Sequence, residues 1–161
     1  MIGLYADKLI DTSLPLLVPS CRAARPNVIP YVADGLPCLL DALSTAYAAV
    51  AVKTDNKLLI RIAQEMRPGL LILVDGLRVR GSNVRPLLRP GEPGRGYFLV
   101  DSKDDLRRID GARAEGLFLY AEAFDPSWVE LAASGGLRCA CGSRCDIKDL
   151  LLCGHRELEI L

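Results

Sequence analysis

The sequence predicts one α/β domain spanning residues 1–161, built as a compact, trimmed or incompletely closed (β/α)8 TIM-like barrel. An open doubly wound parallel sheet is the alternative. Three observations point this way. Short runs of Val, Ile, Leu and Tyr recur along the chain, and they are apolar on consecutive rather than alternate residues, as strands buried on both faces require. Stretches with helical character stand between most of them, and strand–helix alternation favours a parallel sheet. The spacing is about twenty residues, the sum of a six-residue strand, a ten-residue helix and two short connections.

Taken in order, the expected strands are residues 2–6, 28–32, 47–52, 70–74, 97–100, 117–120, 137–140 and 158–161. The expected helices are 37–45, 56–66, 103–114, 126–133 and 147–152. The stretch 103–114 is the clearest, with Leu106 and Ile109 on a stripe ringed by Asp104, Asp105, Arg107, Arg108 and Arg113. Eight strands suggest a barrel, and the length calls for a trimmed one, since such barrels usually take roughly 200 residues or more. Residues 75–96 break the rhythm. Gly76, Gly81, Pro86, Pro90, Gly91, Pro93, Gly94 and Gly96 make this stretch read as loop, and Arg78, Arg80, Arg85, Arg89 and Arg95 make it basic.

Composition excludes several classes. Twenty basic residues balance twenty acidic ones, so a uniformly basic nucleic-acid coat is ruled out. Half of the residues are hydrophobic, which excludes disorder. No apolar run approaches the roughly 20 residues that span a bilayer, and residues 1–8 do not read as a signal peptide. A cytoplasmic protein with no membrane partner is expected. The chain holds 15 Arg but 5 Lys, and it has four Asn and Gln residues; scarcity of these thermolabile amides is one trait of heat-adapted chains, so a thermophile source is expected.

Acidic residues follow strand after strand: Asp7, Asp34, Asp55, Asp75, Asp101 and Glu122. In a barrel they would ring the C-terminal face, where converging carboxylates could hold Mg²⁺ or run acid–base chemistry. Alternatively they cap helix N-termini, a description that suits Asp55 before Asn56 and Asp101 before Ser102. His155 is the single histidine, which argues against multi-histidine metal hydrolases and against nucleophile–His catalysis. No catalytic set is therefore expected. Cys139, Cys141, Cys145 and Cys153 with His155 could hold zinc in an interaction module. They could instead supply a disulfide, as could Cys21 with Cys38, or serve as small buried hydrophobes.

The arginines of residues 75–96 could grip phosphate through their planar forks, or form a solvated, salt-bridged loop. No Gly-rich phosphate-loop or dinucleotide signature accompanies them.

The last segment carries a family resemblance. The strand 137–140, the small-residue stretch Cys139-Ala140-Cys141-Gly142, the triplet Asp146-Ile147-Lys148, then Asp149-Leu150 opening a helix and a final strand resemble the TIM-barrel protein subunit of archaeal ribonuclease P. The resemblance implies a non-catalytic, RNA-associated subunit supporting 5′ maturation of precursor tRNA. Its partners would be ribonuclease P RNA, precursor tRNA and a second small protein subunit. The RNA phosphate contacts would be Arg78, Arg80, Arg85, Arg89 and Arg95, with Lys148 carried over from the triplet. A different reading is a small barrel enzyme or binding protein for a phosphorylated metabolite, using Asp7, Asp34 or Asp75 with an arginine of the loop. Two features discriminate them: whether the carboxylates converge on a pocket, and whether the arginines form one positive face with Arg22, Arg25 and Arg61.

Overall fold

The first strand, β1 (Ile2–Tyr5), pairs on one side with β2 (Leu16–Pro19) and on the other with β8 (Ala114–Tyr120), which shuts a ring of eight. Between β2 and β8, strands β3 (Val28–Val32), β4 (Ala49–Lys53), β5 (Leu71–Asp75), β6 (Val84–Leu88) and β7 (Gly96–Val100) follow in chain order, every neighbour parallel. The computed structural model describes residues 2–33, 35–125, 127, 128 and 131. Closure is complete within residues 2–120: Ile2, Gly3, Leu4 and Tyr5 lie in register with Leu117, Phe118, Leu119 and Tyr120. This corrects the expectation of incomplete closure and excludes the open doubly wound sheet.

Six expected strands are present, and two strands were not anticipated. β2 is only four residues long, and β6 lies inside the stretch read as loop, where Pro86 disguises it. The expected strands 137–140 and 158–161 lie outside the described residues. Three helices complete the described elements: α1 (Gly35–Thr45), α2 (Lys57–Met66) and α3 (Lys103–Arg107). None is long and apolar enough to cross a membrane. α3 is shorter than expected, because the chain turns at 111–113 to enter β8, although Ile109 still reaches the core.

The pleat sorts the core into layers. Leu17, Ile29, Ala49, Ala51, Leu73, Leu87, Leu99 and Phe118 point into the barrel and fill it. Their outward neighbours Val50, Val52, Ile72 and Val74 meet Leu39, Leu43 and Ile60 beneath α1 and α2. Around the remaining wall, Leu4, Leu16, Leu117 and Leu119 pack with Leu106 and Trp128.

Connections 6–15, 20–27, 76–83 and 89–95 contain no helix, although parallel strands are usually joined through one. A helix satisfies its own backbone; a bare loop needs other donors. Asn and Arg side chains supply them. Asn27 Nδ2 donates to the carbonyls of Thr12 and Leu14 in the 6–15 connection, and Asn83, at the end of the 76–83 connection, donates through Nδ2 to Arg67 and Leu70 between α2 and β5. Arg80 donates to the Arg95 carbonyl at 2.6 Å, and Arg113 to those of Gly94 and Glu92 at 2.7 Å. A disulfide between Cys21 and Cys38, with Cα atoms 4.7 Å apart, ties the 20–27 connection to α1.

Candidate functional site

Each strand brings one inward position to the C-terminal rim of the barrel. Extending the inward rows from the core, these are Tyr5, Pro19, Tyr31, Lys53, Asp75, Arg89, Asp101 and Tyr120. Tyr31, Asp75 and Arg89 are joined. Asp75 Oδ2 accepts the Tyr31 hydroxyl at 2.6 Å and an Arg89 Nη at 3.0 Å, so one carboxylate oxygen ties together β3, β5 and the residue after β6. Burial, then the hydrogen bond to Asp75 and that carboxylate's charge, push the Tyr31 phenol far above its ordinary value, while the Arg89 cation opposes them. Tyr31 is consequently a neutral O–H donor at physiological pH.

A second set faces it. Tyr120 stacks against Tyr5 with ring centroids 5.1 Å apart, and its hydroxyl lies 3.3 Å from Asp7 Oδ2 and 3.2 Å from Glu122 Oε2. It has one proton for two carboxylates. Desolvation, the hydrogen bond to Glu122 and the negative charge of both carboxylates raise its pKa.

Between these sets lies a pocket of about 180 Å³. Leu17 and Leu99 form its floor, Tyr5, Pro19 and Tyr31 its walls, and Asp7 and Arg89 bring one charge of each sign. The position matches the general rule that barrel sites are built at the C-terminal ends of the strands. Arg89 is held by Asp75 through one Nη alone, and its side chain remains 44% exposed, which leaves guanidinium edge to meet an anion.

No family model, no curated protein and no solved structure matches the chain.

The expected arginine patch is divided. Arg89 stands at the mouth. Arg78 pairs with Glu92 at 3.5 Å. Arg80, Arg85 and Arg95 gather at the opposite end of the barrel around Glu115, at 2.7, 3.4 and 3.6 Å. Arg25 pairs with Asp11 and Arg61 with Glu65. A single positive face joining all of them does not form, because strand β6 carries the chain from one end of the barrel to the other between Arg85 and Arg89.

The strand-end carboxylates also divide. Asp7 and Asp75 come to the mouth, and Glu122 joins Asp7 at Tyr120. Asp55 and Asp101 are not the caps of their helices. Asn56 accepts from Leu58 N and Ser102 from Asp105 N, each one residue later than expected. Asp34, Lys148, Cys139, Cys141, Cys145, Cys153 and His155 lie outside the described residues. Among the described residues no three His, Cys, Asp or Glu side chains come together as metal ligands. The tyrosines escaped sequence reasoning. Their signal was present, since Tyr5, Tyr31 and Tyr120 each stand at or next to the end of an apolar run.

Proposed function

We propose that the barrel binds a small phosphorylated metabolite at its C-terminal mouth. The observation that carries this is the Tyr31–Asp75–Arg89 junction beside the pocket. It pre-positions the Arg89 guanidinium, because Tyr31 donates its one proton to Asp75 and Asp75 in turn holds Arg89, so little ordering remains when an oxyanion arrives. At about 180 Å³ the pocket suits a compact ligand such as a small phosphate ester. A phosphate on Arg89 would leave the rest of the ligand near Asp7, an acceptor able to serve acid–base chemistry. On this reading the chain is a trimmed (β/α)8 barrel that has kept its rim and shed helices from four connections.

Calorimetric titration with inorganic phosphate and three- to six-carbon phosphate esters tests the proposal. Arg89→Ala is expected to weaken binding by roughly ten- to a hundredfold, the worth of a charge-assisted hydrogen bond. Equal affinity in wild type and variant rejects it.

The second reading is the ribonuclease P subunit, whose TIM-barrel architecture agrees with the parallel barrel in outline only, since the ring closes by Tyr120 without residues 137–161. Its other support, residues 137–161 with Lys148, lies outside the described residues. Co-purification of catalytic RNA and a second small protein with the tagged chain supports it. Absence of salt-sensitive RNA binding counts against it.

A further inference from the structure

Among the described residues, the N-terminal end of the barrel gathers three guanidinium groups on one carboxylate. Glu115 is only 16% exposed, and three guanidinium groups surround it: Arg80 on Oε1 at 2.7 Å, Arg95 on Oε1 at 3.6 Å and Arg85 on Oε2 at 3.4 Å. Among the described residues one carboxylate is shared by all three. Arg80 and Arg85 also staple loop carbonyls here, a task that the uncharged Asn27 performs at the 6–15 connection.

The register of β7 on β8 points to the same place. Gly96 is opposite Ala114 and Tyr97 is opposite Gly116, so Glu115 is the extra residue of a bulge. Bulges re-aim side chains and are common beside functional sites. Here the bulge aims a carboxylate at three arginines from β6 and its flanking loops.

The groups are also held in place. Arg80 is fixed by the Arg95 carbonyl at 2.6 Å, and Arg85 by those of Gly81 and Val84 at 2.6 and 2.8 Å. Arg95, 66% exposed, meets Glu115 through Nε and turns its outer edge to solvent.

We propose that Arg80, Arg85 and Arg95, organised by Glu115, form a second oxyanion site that takes a phosphoryl group at the end of the barrel opposite the mouth. Glu115 sets the spacing of the cations, and the ligand supplies the missing negative charge.

Titration of the full chain with pyrophosphate tests this. Arg89→Ala is expected to retain one binding event, and Arg95→Ala to weaken that event roughly tenfold or more, as loss of a charge-assisted contact does. Circular dichroism checks that both variants are folded, and Arg80→Gln is the substitute should Arg95→Ala fail to fold. If Arg89→Ala removes all pyrophosphate binding, the second site is overturned and the mouth reading stands. If Arg95→Ala removes all binding and Arg89→Ala none, the second site stands and the mouth reading falls. Displacement of pyrophosphate by a short oligouridylate assigns the site to nucleic-acid phosphate. Failure of the oligomer to displace it assigns the site to a small phosphate ester.

Discussion

Asn83 repeats in front of β6 what Asn27 does in front of β3. Each amide Nδ2 donates to two carbonyls leading into the preceding strand: Thr12 and Leu14 at 2.7 and 2.9 Å, Arg67 and Leu70 at 3.3 and 2.8 Å. Each backbone carbonyl accepts from that strand, from Leu16 N at 2.9 Å and from Ile72 N at 2.8 Å. The same four-residue pattern, Asn-Val-x-Pro, carries both: Asn27-Val28-Ile29-Pro30 and Asn83-Val84-Arg85-Pro86. Asn27→Ala removes the side-chain donor to the Thr12 and Leu14 carbonyls, and Asn83→Ala the one to Leu70, while the Arg67 carbonyl keeps Leu70 N at 3.0 Å; each is expected to cost about 1–3 kcal/mol. Asp should be worse, since its carboxylate would face those carbonyl oxygens. Urea denaturation measures both, and Asp variants as stable as Ala variants refute the account.

The Cys21–Cys38 disulfide spans 17 positions that include β3 and Tyr31. A bridge closing a loop of about this length stabilises a fold by roughly 3 kcal/mol in the chain-entropy model. The Cys21→Ser/Cys38→Ser double variant should lose about that much. It should also become insensitive to added dithiol reductant, whereas wild type should drop to its level when reduced.

Tyr31 predicts an alkaline limb. Its folded pKa is raised above the unfolded value near 10. Between the two values the unfolded chain has lost a proton that the native chain keeps, so stability is full below about pH 10 and falls as pH rises beyond it, by no more than about 1.4 kcal/mol per pH unit. Tyr31→Phe should flatten this limb, and phenolate absorbance should lose a late-titrating tyrosine. An unchanged limb places the effect elsewhere.

Gly96 opens β7 where a Cβ would come 2.4 Å from the Pro86 carbonyl oxygen. Gly96→Ala must push β6 and β7 apart, and a loss of about 1–3 kcal/mol is expected from such overpacking. Thermal melts compare it with Gly69→Ala, where a Cβ meets nothing within 4 Å. Equal melting temperatures disprove the contact.

Most strands were legible because barrel strands are apolar on both faces and stand out as continuous runs. β6 was not, since Arg85 and Pro86 interrupt its pattern and glycines crowd its flanks. The expected spacing of about twenty residues also counts a ten-residue helix into each unit, which stretches the expected barrel to residue 161. Side-chain donors in place of helices let the real one close by Tyr120. At the mouth, Asp7, Asp75 and Arg89 could be named because residues just past apolar runs fall at strand ends. Their pairing could not. Tyr31 and Asp75 are 44 positions apart and meet only through strand order, whereas Asp55 and Asp101 look identical in sequence yet leave capping to Asn56 and Ser102.

The seam between β1 and β8 joins the barrel's first strand to its eighth. During synthesis, residues 2–5 must wait for residues 114–120 before that edge is covered. Until then the growing chain is an open sheet with two bare, apolar margins, each a template for pairing with another nascent copy. Such a long sequence separation also makes the final closure slow. Arrest of translation before residue 114 should therefore yield a species dependent on chaperones, and release of the eighth strand should be the moment at which that dependence ends.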